Sequence, residues 1–365
     1  MIIDSHVHTF PFMGGASGHR SAQEHLRRLQ RGCYSSINAP YWKRDKSPVT
    51  ERTLWDGKDP SPAGMADVGF KAVRYGRFEW TTDKGDVALQ YFAPSLMDNI
   101  STAEYMVAEM DYAGVDCCVL QNHPIYGRLN DFFADCVAQY PDRFIALANV
   151  HEGKAHTDEE LAELDRCIKT LNMKGLFYQV GEFWENGYKD NVDDEKYEIF
   201  WDIVEKAGLV LFWDPAPVAF PSAEAYTDQM ERMYKVLERH PGIPTVLVQA
   251  FPLGYYAPDG KYKLPDVAHR LAKLPKFLVE IAYPISYGGM WEYPYAETRP
   301  LIRQLRDWFG AERLVWGSDM PNVIRFCTYR QSYEFFRHCD FLSESEMALL
   351  LGDNLANLFG VARAQ

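Results

Sequence analysis

The chain lacks any apolar run approaching the roughly 18 residues needed to cross a bilayer, which excludes a membrane-spanning helix. It has no basic surplus: 38 Lys and Arg stand against 51 Asp and Glu, a formal charge of −13. A protein that grips nucleic acid by its phosphates carries a basic surface, so that class is disfavoured. An anionic small molecule is not excluded, because a metal ion or a few arginines can set the local field. The seven cysteines contain no CxxC pair and are odd in number; they read as reduced, mostly buried thiols rather than a disulfide framework. The opening Met1-Ile2-Ile3-Asp4 lacks the basic segment, apolar stretch and small-residue cleavage site of a signal peptide, so a cytoplasmic location is expected. There is no internal repeat, no low-complexity tract and no glycine-rich phosphate loop after the first apolar run, which argues against a dinucleotide-binding fold.

What is present is an ordinary globular composition, 47% hydrophobic and 24% charged over 365 residues. Short β-rich runs recur: Ile2–His8, Asp116–Gln121, Phe144–Asn149, Gly175–Tyr178, Leu209–Trp213, Thr245–Gln249, Phe277–Ile281 and Leu314–Trp316. Amphipathic stretches fill the gaps, at Ser101–Tyr112, Asn130–Tyr140, Asp158–Leu171, Glu195–Lys206, Ala223–Arg239, Tyr262–Leu274 and Ala296–Phe309. The first of these opens with Ser-Thr-Ala-Glu, a capping-box pattern. Continuous apolar strands alternating with helices imply a parallel sheet covered on both faces. Eight units favour a closed α/β barrel of the (β/α)8 TIM type over an open sheet, as a single domain over 1–365 that closes on a C-terminal helix at 342–361.

One region breaks the rhythm. Residues from about 33 to 98 are rich in aromatics, prolines and glycines, with alternating segments around Thr82-Asp83-Lys84-Gly85-Asp86. They read as an inserted β-hairpin region after strand 1. Such a segment serves either as a surface elaboration and dimer contact or as a lid, since loops after barrel strands lie at the catalytic face.

The chemistry concentrates at two strand ends. In Asp4-Ser5-His6-Val7-His8, two histidines two apart on a strand point to the same side, which at a barrel mouth can hold a divalent metal. The bland alternative is two histidines near a terminus. In Trp316-Gly317-Ser318-Asp319, Asp319 ends the eighth strand. A carboxylate there binds metal, moves a proton, or does both; the alternative is a helix N-cap.

These residues, with Tyr140-Pro141-Asp142-Arg143-Phe144 and the closing Leu351-Gly352-Asp353-Asn354-Leu355-Ala356-Asn357-Leu358-Phe359, resemble the amidohydrolase superfamily, in the branch typified by amino-carboxymuconate-semialdehyde decarboxylase. The resemblance covers nearly the whole chain and implies a metal-dependent decarboxylase, hydratase or hydrolase. Two positions depart from the pattern. The branch ends strand five with a metal-binding histidine before proline; here Asp214 precedes Pro215. The branch ends strand six with a histidine that acts on substrate or water; here the residue is Gln249, whose amide exchanges no proton near neutral pH. The implied ligand set is His6, His8, Asp214 and Asp319, for zinc or manganese, with zinc distances of about 2.0–2.2 Å.

Three further groups complete the expectation. His123, after strand two, is a candidate replacement for the missing acid–base histidine, and His151 a lesser one. Trp213, Phe251, Tyr255, Tyr283 and Trp291 cluster after strands five to seven, as a core or as a pocket for a planar ligand; Tyr293 belongs to the same group. Arg325 is placed to pair with a substrate carboxylate or to make a surface ion pair. The function expected is a non-oxidative decarboxylase of an aromatic or enolic carboxylic acid, with Asp319 the principal proton carrier and Gln249 hydrogen-bonding. The alternatives are a hydrolase of a lactone, an amide or a β-dicarbonyl carbon–carbon bond, and a metal-free barrel with a binding or scaffold role. The partner expected is a small planar carboxylic acid, with neither nucleic acid nor membrane, on a homo-oligomer, a dimer.

Overall fold

The computed structural model describes residues 1–34, 36, 38–59, 61–217, 219–220, 222–287 and 290–362. The apolar runs form eight parallel strands: β1 (Ile3–Val7), β2 (Cys117–Leu120), β3 (Phe144–Ala148), β4 (Gly175–Gln179), β5 (Val210–Asp214), β6 (Thr245–Leu247), β7 (Phe277–Ile281) and β8 (Leu314–Trp316). They pair in chain order, and β8 returns to β1 through a parallel bridge between Val7 and Met320, which makes a TIM barrel. Helices α1 (Ala22–Tyr34), α2 (Ala103–Ala113), α3 (Asn130–Gln139), α4 (Asp158–Lys169), α5 (Glu198–Ala207), α6 (Ala223–Arg239), α7 (Asp266–Leu271) and α8 (Arg299–Phe309) lie between the strands. No helix among the described residues is long and apolar enough to cross a membrane. All seven cysteines are free, and six are buried.

Strand side chains alternate between two cores, which is why the strands read as unbroken apolar runs. Val119, Leu147, Phe177, Phe212, Val246, Leu278 and Val315 fill the barrel interior. Leu120, Ala148, Tyr178, Trp213, Leu247, Val279 and Trp316 face the helices. The chain's end closes the bottom of the barrel: Leu355 and Ala356 join the interior cluster and Phe359 stacks on Phe212 with ring centroids 6.1 Å apart. A Cβ on Gly352 would stand 2.4 Å from the Met1 carbonyl oxygen, so only glycine lets this segment reach the first strand. The expected helix at 342–361 is three consecutive pieces, Glu344–Ala348, a π turn at Leu349–Asp353 and Asn354–Phe359.

Other boundaries moved for local reasons. Ser101 is not the cap of α2: its backbone pairs with Phe10, and Thr102 caps instead, accepting from Tyr105 N–H at 3.1 Å. The expected helix at Tyr262–Leu274 shortens to α7, because Pro265 disfavours helical backbone in the residue before it. The inserted hairpin is part of a four-stranded antiparallel sheet in the order Tyr41–Trp42, Gly85–Gln90, Arg77–Thr82, Lys71–Val73; of this insertion, residues 35, 37 and 60 lie outside the described residues. Phe78, Trp80, Val87 and Leu89 bury one side of the sheet. Phe92 stacks on Phe10 at 5.3 Å and Phe10 on Tyr126 at 4.5 Å, so an aromatic column ties the insertion to the barrel mouth.

The side chain of His19, just before α1, is enclosed, stacked against His25 with ring centroids 5.6 Å apart. Burial lowers its pKa to about 3, with Arg28, His25 and Arg128 adding repulsion. The unfolded chain takes up a proton near pH 6.5 that the folded chain refuses. Stability from this group is therefore complete above pH 6.5 and is lost as pH falls toward 3, with a limiting slope of about 1.4 kcal/mol per pH unit. Denaturant unfolding between pH 7 and 4 is expected to show a shallower acid loss in His19→Gln than in the wild type. Parallel profiles would mean that His19 is protonated in the folded protein.

Candidate metal centre and cavity

The seam between β1 and β8 positions the reactive groups. His8 N–H donates to Met320 O at 2.7 Å and Asp319 N–H to His6 O at 2.9 Å. Gly317 makes this contact possible: a Cβ there would come within 2.8 Å of Glu280, Ser5 and His6. Asp4 accepts from the backbone of His6 and Ser318 and from the hydroxyls of Ser318 and Tyr329. Burial is the largest influence on its carboxyl and raises the pKa to about 6 against those bonds.

At this seam His6 Nε2 lies 3.1 Å from His8 Nε2, and Asp319 Oδ1 lies 3.0 Å from His8 Nε2 and 3.9 Å from His6 Nε2. The other nitrogen of each ring faces an acceptor: His6 Nδ1 meets Glu280 Oε1 at 2.8 Å and His8 Nδ1 meets Gln121 O at 2.7 Å. Both Nδ1 atoms must therefore donate, and each neutral ring presents a bare Nε2 lone pair. Two lone pairs and a carboxylate oxygen face one another, an arrangement that calls for a cation between them. Ligands about 2.1 Å from one ion and at right angles to each other stand about 3 Å apart, close to two of the three separations. The donor set and its backing bonds fit a divalent metal.

The charges agree. Burial opposes ionisation of Asp319, but His8, His6 and Asn322 outweigh it and hold its pKa at about 2. Burial also opposes a charged His6, yet Glu280, Asp319 and Asp4 raise its pKa to about 9; with no ion bound, a proton on Nε2 takes the place of the cation that the neutral ring would bind. Asn322 Nδ2 donates to Asp319 Oδ1 at 2.7 Å and to Tyr126 Oη at 2.9 Å. Asp319 Oδ2 has no hydrogen-bond partner among the described residues.

A cavity of about 410 Å³ opens beside these groups, lined by His6, His8, Asp214, Gln249, Asp319 and Arg325 among others. Asp214 thus reaches the mouth but stands apart from the grouping of His6, His8 and Asp319. Its oxygens accept from Gln179 Nε2 and from Ala216 N–H at 2.7 Å, and burial raises its pKa. Gln249 sits past the end of β6 with φ +59°; its N–H donates to Glu280 Oε1 at 3.1 Å, and its side-chain amide has no partner among the described residues. His123 lines the cavity, its Nδ1 accepting from Ile125 N–H at 3.3 Å. Burial first, then His8, lowers its pKa to about 3, so it offers a hydrogen bond rather than a titrating proton. Arg325 is fixed by two carbonyls, Asn322 O and Tyr91 O, each at 3.1 Å. Neither cancels its charge, and no carboxylate pairs with it among the described residues.

The expected aromatic pocket lies elsewhere. Trp213, Phe251 and Tyr283 are buried in the layer between barrel and helices, and Tyr255 and Trp291 pack against that layer. Tyr293 is 40% exposed. None of the six lines the cavity. Trp213 fails for a reason of period: in β5, Phe212 and Asp214 share the inner side and Trp213 takes the other. The rings that do line the cavity are Tyr91, Tyr126, Phe177, Trp184 and Tyr188. The inserted region also reaches it, through Ser36, Asn38 and Tyr91, with Arg28, Arg31 and Gly32 of α1. His151 Nε2 lies 2.9 Å from a carboxylate oxygen of Glu185, and with Glu182 these are a second group of potential ligands. Arg28 and Lys154 already lie within ion-pair distance of those glutamates.

Glu280 is the member that sequence reasoning missed. It is fully buried, and it accepts from Ser5 Oγ at 2.6 Å and Gln121 Nε2 at 3.1 Å as well as from His6 and Gln249. The available signal was an acid inside the apolar strand Phe277-Leu278-Val279-Glu280-Ile281.

The family model described as Amidohydrolase matches residues 3–361. No curated protein matches the sequence. Solved structures share the fold. An uncharacterised TIM-barrel protein from Bordetella bronchiseptica superposes with TM-score 0.56 at 17% identity, covering 98% of each chain. A dihydroxybenzoic acid decarboxylase from a Polaromonas species, with bound manganese and the inhibitor 2-nitroresorcinol, gives 0.52 at 18% identity over 73% of this chain and 88% of its own. A probable 2-pyrone-4,6-dicarboxylic acid hydrolase from Acinetobacter baumannii, with citric acid bound, gives 0.54 at 18% identity over 72% and 90%.

Partners that orient a ligand histidine typically govern metal affinity 10–100-fold. Glu280→Gln is therefore expected to weaken manganese or zinc binding by about that factor while leaving the circular dichroism spectrum unchanged. Titration with a competing chelator measures it. Unaltered affinity would reduce Glu280 to a packing residue.

Proposed function

The chain belongs to the amidohydrolase family, and we propose that within it this enzyme is a metal-dependent, non-oxidative decarboxylase of an aromatic or enolic carboxylic acid. One observation carries the reading: three acceptors, His6 Nε2, His8 Nε2 and Asp319 Oδ1, converge beside a cavity edged by a guanidinium that no carboxylate neutralises. His6, His8 and Asp319 would hold a divalent ion there, with Asp214 in the same cavity, and the ion would supply Lewis-acid stabilisation of the charge that develops as CO₂ departs. Zinc and manganese both suit the set; carboxylate ligands favour manganese, the ion held by the Polaromonas enzyme of the same fold. In this reading residues 1–365 act as one unit, with the segment at 33–98 covering the mouth and 342–361 closing the base.

The protein's own groups divide the remaining work. Arg325 pairs with a substrate oxygen anion. Asp319 starts as a carboxylate, so it must first accept the proton of the substrate's hydroxyl at Oδ2. It then gives that proton to the carbon that loses CO₂: the C–C bond breaks, the C–H bond forms, and the product leaves as an oxyanion that water reprotonates. His123 and Gln249 hydrogen-bond the substrate without titrating. The hydrolase reading keeps one point in its favour. A carboxylate that is already anionic is suited to take a proton from water, with Gln249 bonding an oxyanion.

With manganese or zinc loaded, aromatic hydroxy acids are expected to release CO₂, and lactones to release no acid. Asp319→Asn is expected to cut turnover about 10²–10⁴-fold while metal content falls only in part; Gln249→Ala should do less damage. Acid release from a lactone or pyrone without CO₂ would replace the decarboxylase by the hydrolase. Purified protein without metal, and with none taken up, would leave a binding barrel.

A further inference from the structure

The cavity is larger than the reaction requires. A hole of roughly 150 Å³ is enough for one benzene ring, whereas this cavity measures about 410 Å³. The metal-binding groups come from β1 and the end of β8. Across the mouth stands the loop after β4, half-way round the barrel from β8, which contributes Trp184 and Tyr188. Trp184 is 7% exposed, yet it belongs to neither hydrophobic core. Its ring lies 5.2 Å from the guanidinium of Arg31, a cation–π contact that sets its orientation. Its indole N–H makes no hydrogen bond among the described residues and, unlike those of Trp213 and Trp316, is not sealed in by protein, so it is open to an acceptor on a ligand. An aromatic face with an unused donor therefore lines the cavity on the side away from the metal-binding groups.

We infer that this side is a second compartment, which takes a further aromatic ring bearing an oxygen acceptor. The substrate class is thus a two-ring aromatic acid, its carboxylated ring at His6, His8 and Asp319 and its outer ring against Trp184. The inference rests on the acid-decarboxylase reading for the identity of the first ring; the second compartment stands on the cavity itself.

The test is isothermal titration of the manganese-loaded protein with salicylate and with phenylsalicylates that differ in where the second ring is attached. At least one phenylsalicylate is expected to bind about tenfold tighter than salicylate. Trp184→Leu should abolish that gain and leave salicylate binding unchanged. Trp184→Phe should keep the gain of the bare ring but lose any extra gain from a methoxy group on it. Phenylsalicylates no tighter than salicylate on the wild type overturn the second compartment, as does equal weakening of both ligands by Trp184→Leu. CO₂ release is scored separately. A tightly bound two-ring acid that is not decarboxylated overturns the reaction and leaves the compartment standing. Decarboxylation of single-ring acids with no two-ring gain overturns the compartment alone.

Discussion

Everything at the mouth depends on two buried carboxylates, Asp4 and Glu280, each surrounded by donors. A buried charge costs several kcal/mol unless paired and hydrogen-bonded. Asp4 meets the requirement with Ser318, Tyr329 and the backbone of His6. Glu280 meets it with Ser5, Gln121, His6 and the backbone of Gln249. Between them they tie together β1, β7, the loops after β2 and β6, and the turn after β8. These bonds leave few alternative positions for His6 and Asp319, and the pairing of both Nδ1 atoms leaves both Nε2 atoms available. The barrel's closure and its candidate metal centre are therefore one network. A change that loosens the seam is a change to the site.

The fold was legible because a buried parallel strand has a plain signature. Both faces need apolar residues, so each strand appears as a short continuous run. The pair His6 and His8 was legible for the same reason of period, since alternation puts them on one side. The same rule was available at β5 and would have separated Trp213 from Asp214. Density of aromatics proved a poor guide to the pocket. Phe251, Tyr255 and Tyr283 sit on connections that are themselves covered, and the two tyrosine hydroxyls are used locally: Tyr255 donates to Pro217 O and Phe220 O, and Tyr283 bonds the Tyr262 hydroxyl. Tyr91 and Trp184 were not legible, because they reach the cavity through the course of an insertion and a loop that no periodicity records, and Arg31 was not, because nothing in the sequence shows that α1 borders the mouth.

The two departures from the family pattern belong to one electrostatic adjustment. An imidazole at position 214 would face Gln179 as a neutral group. The carboxylate there instead accepts from Gln179 and from the backbone of Ala216. It adds negative potential near His6, to which Asp319 and Glu280 already contribute. Replacement of a titrating residue by Gln249 removes a group whose charge would vary with pH beside Glu280. The outcome is a mouth with carboxylates on the barrel side, donors of the kind that suit a hard divalent ion.

That concentration of charge gives a role to the cation that follows Asp319 on the same connection after β8, Arg325. An anionic ligand is repelled by these carboxylates unless a cation stands between, and a guanidinium that no carboxylate cancels favours it. Arg325 is such a cation because its partners are carbonyls, one of them Tyr91 O in the inserted segment. The insertion thus does more than pack against the barrel through Phe92 and Phe10. By supplying a neutral acceptor where an acidic side chain would have formed an ion pair, it holds the guanidinium in place and leaves its charge for the ligand. A barrel without this segment would keep the seam and the histidines, but Arg325 would lose one of the two carbonyls that hold it.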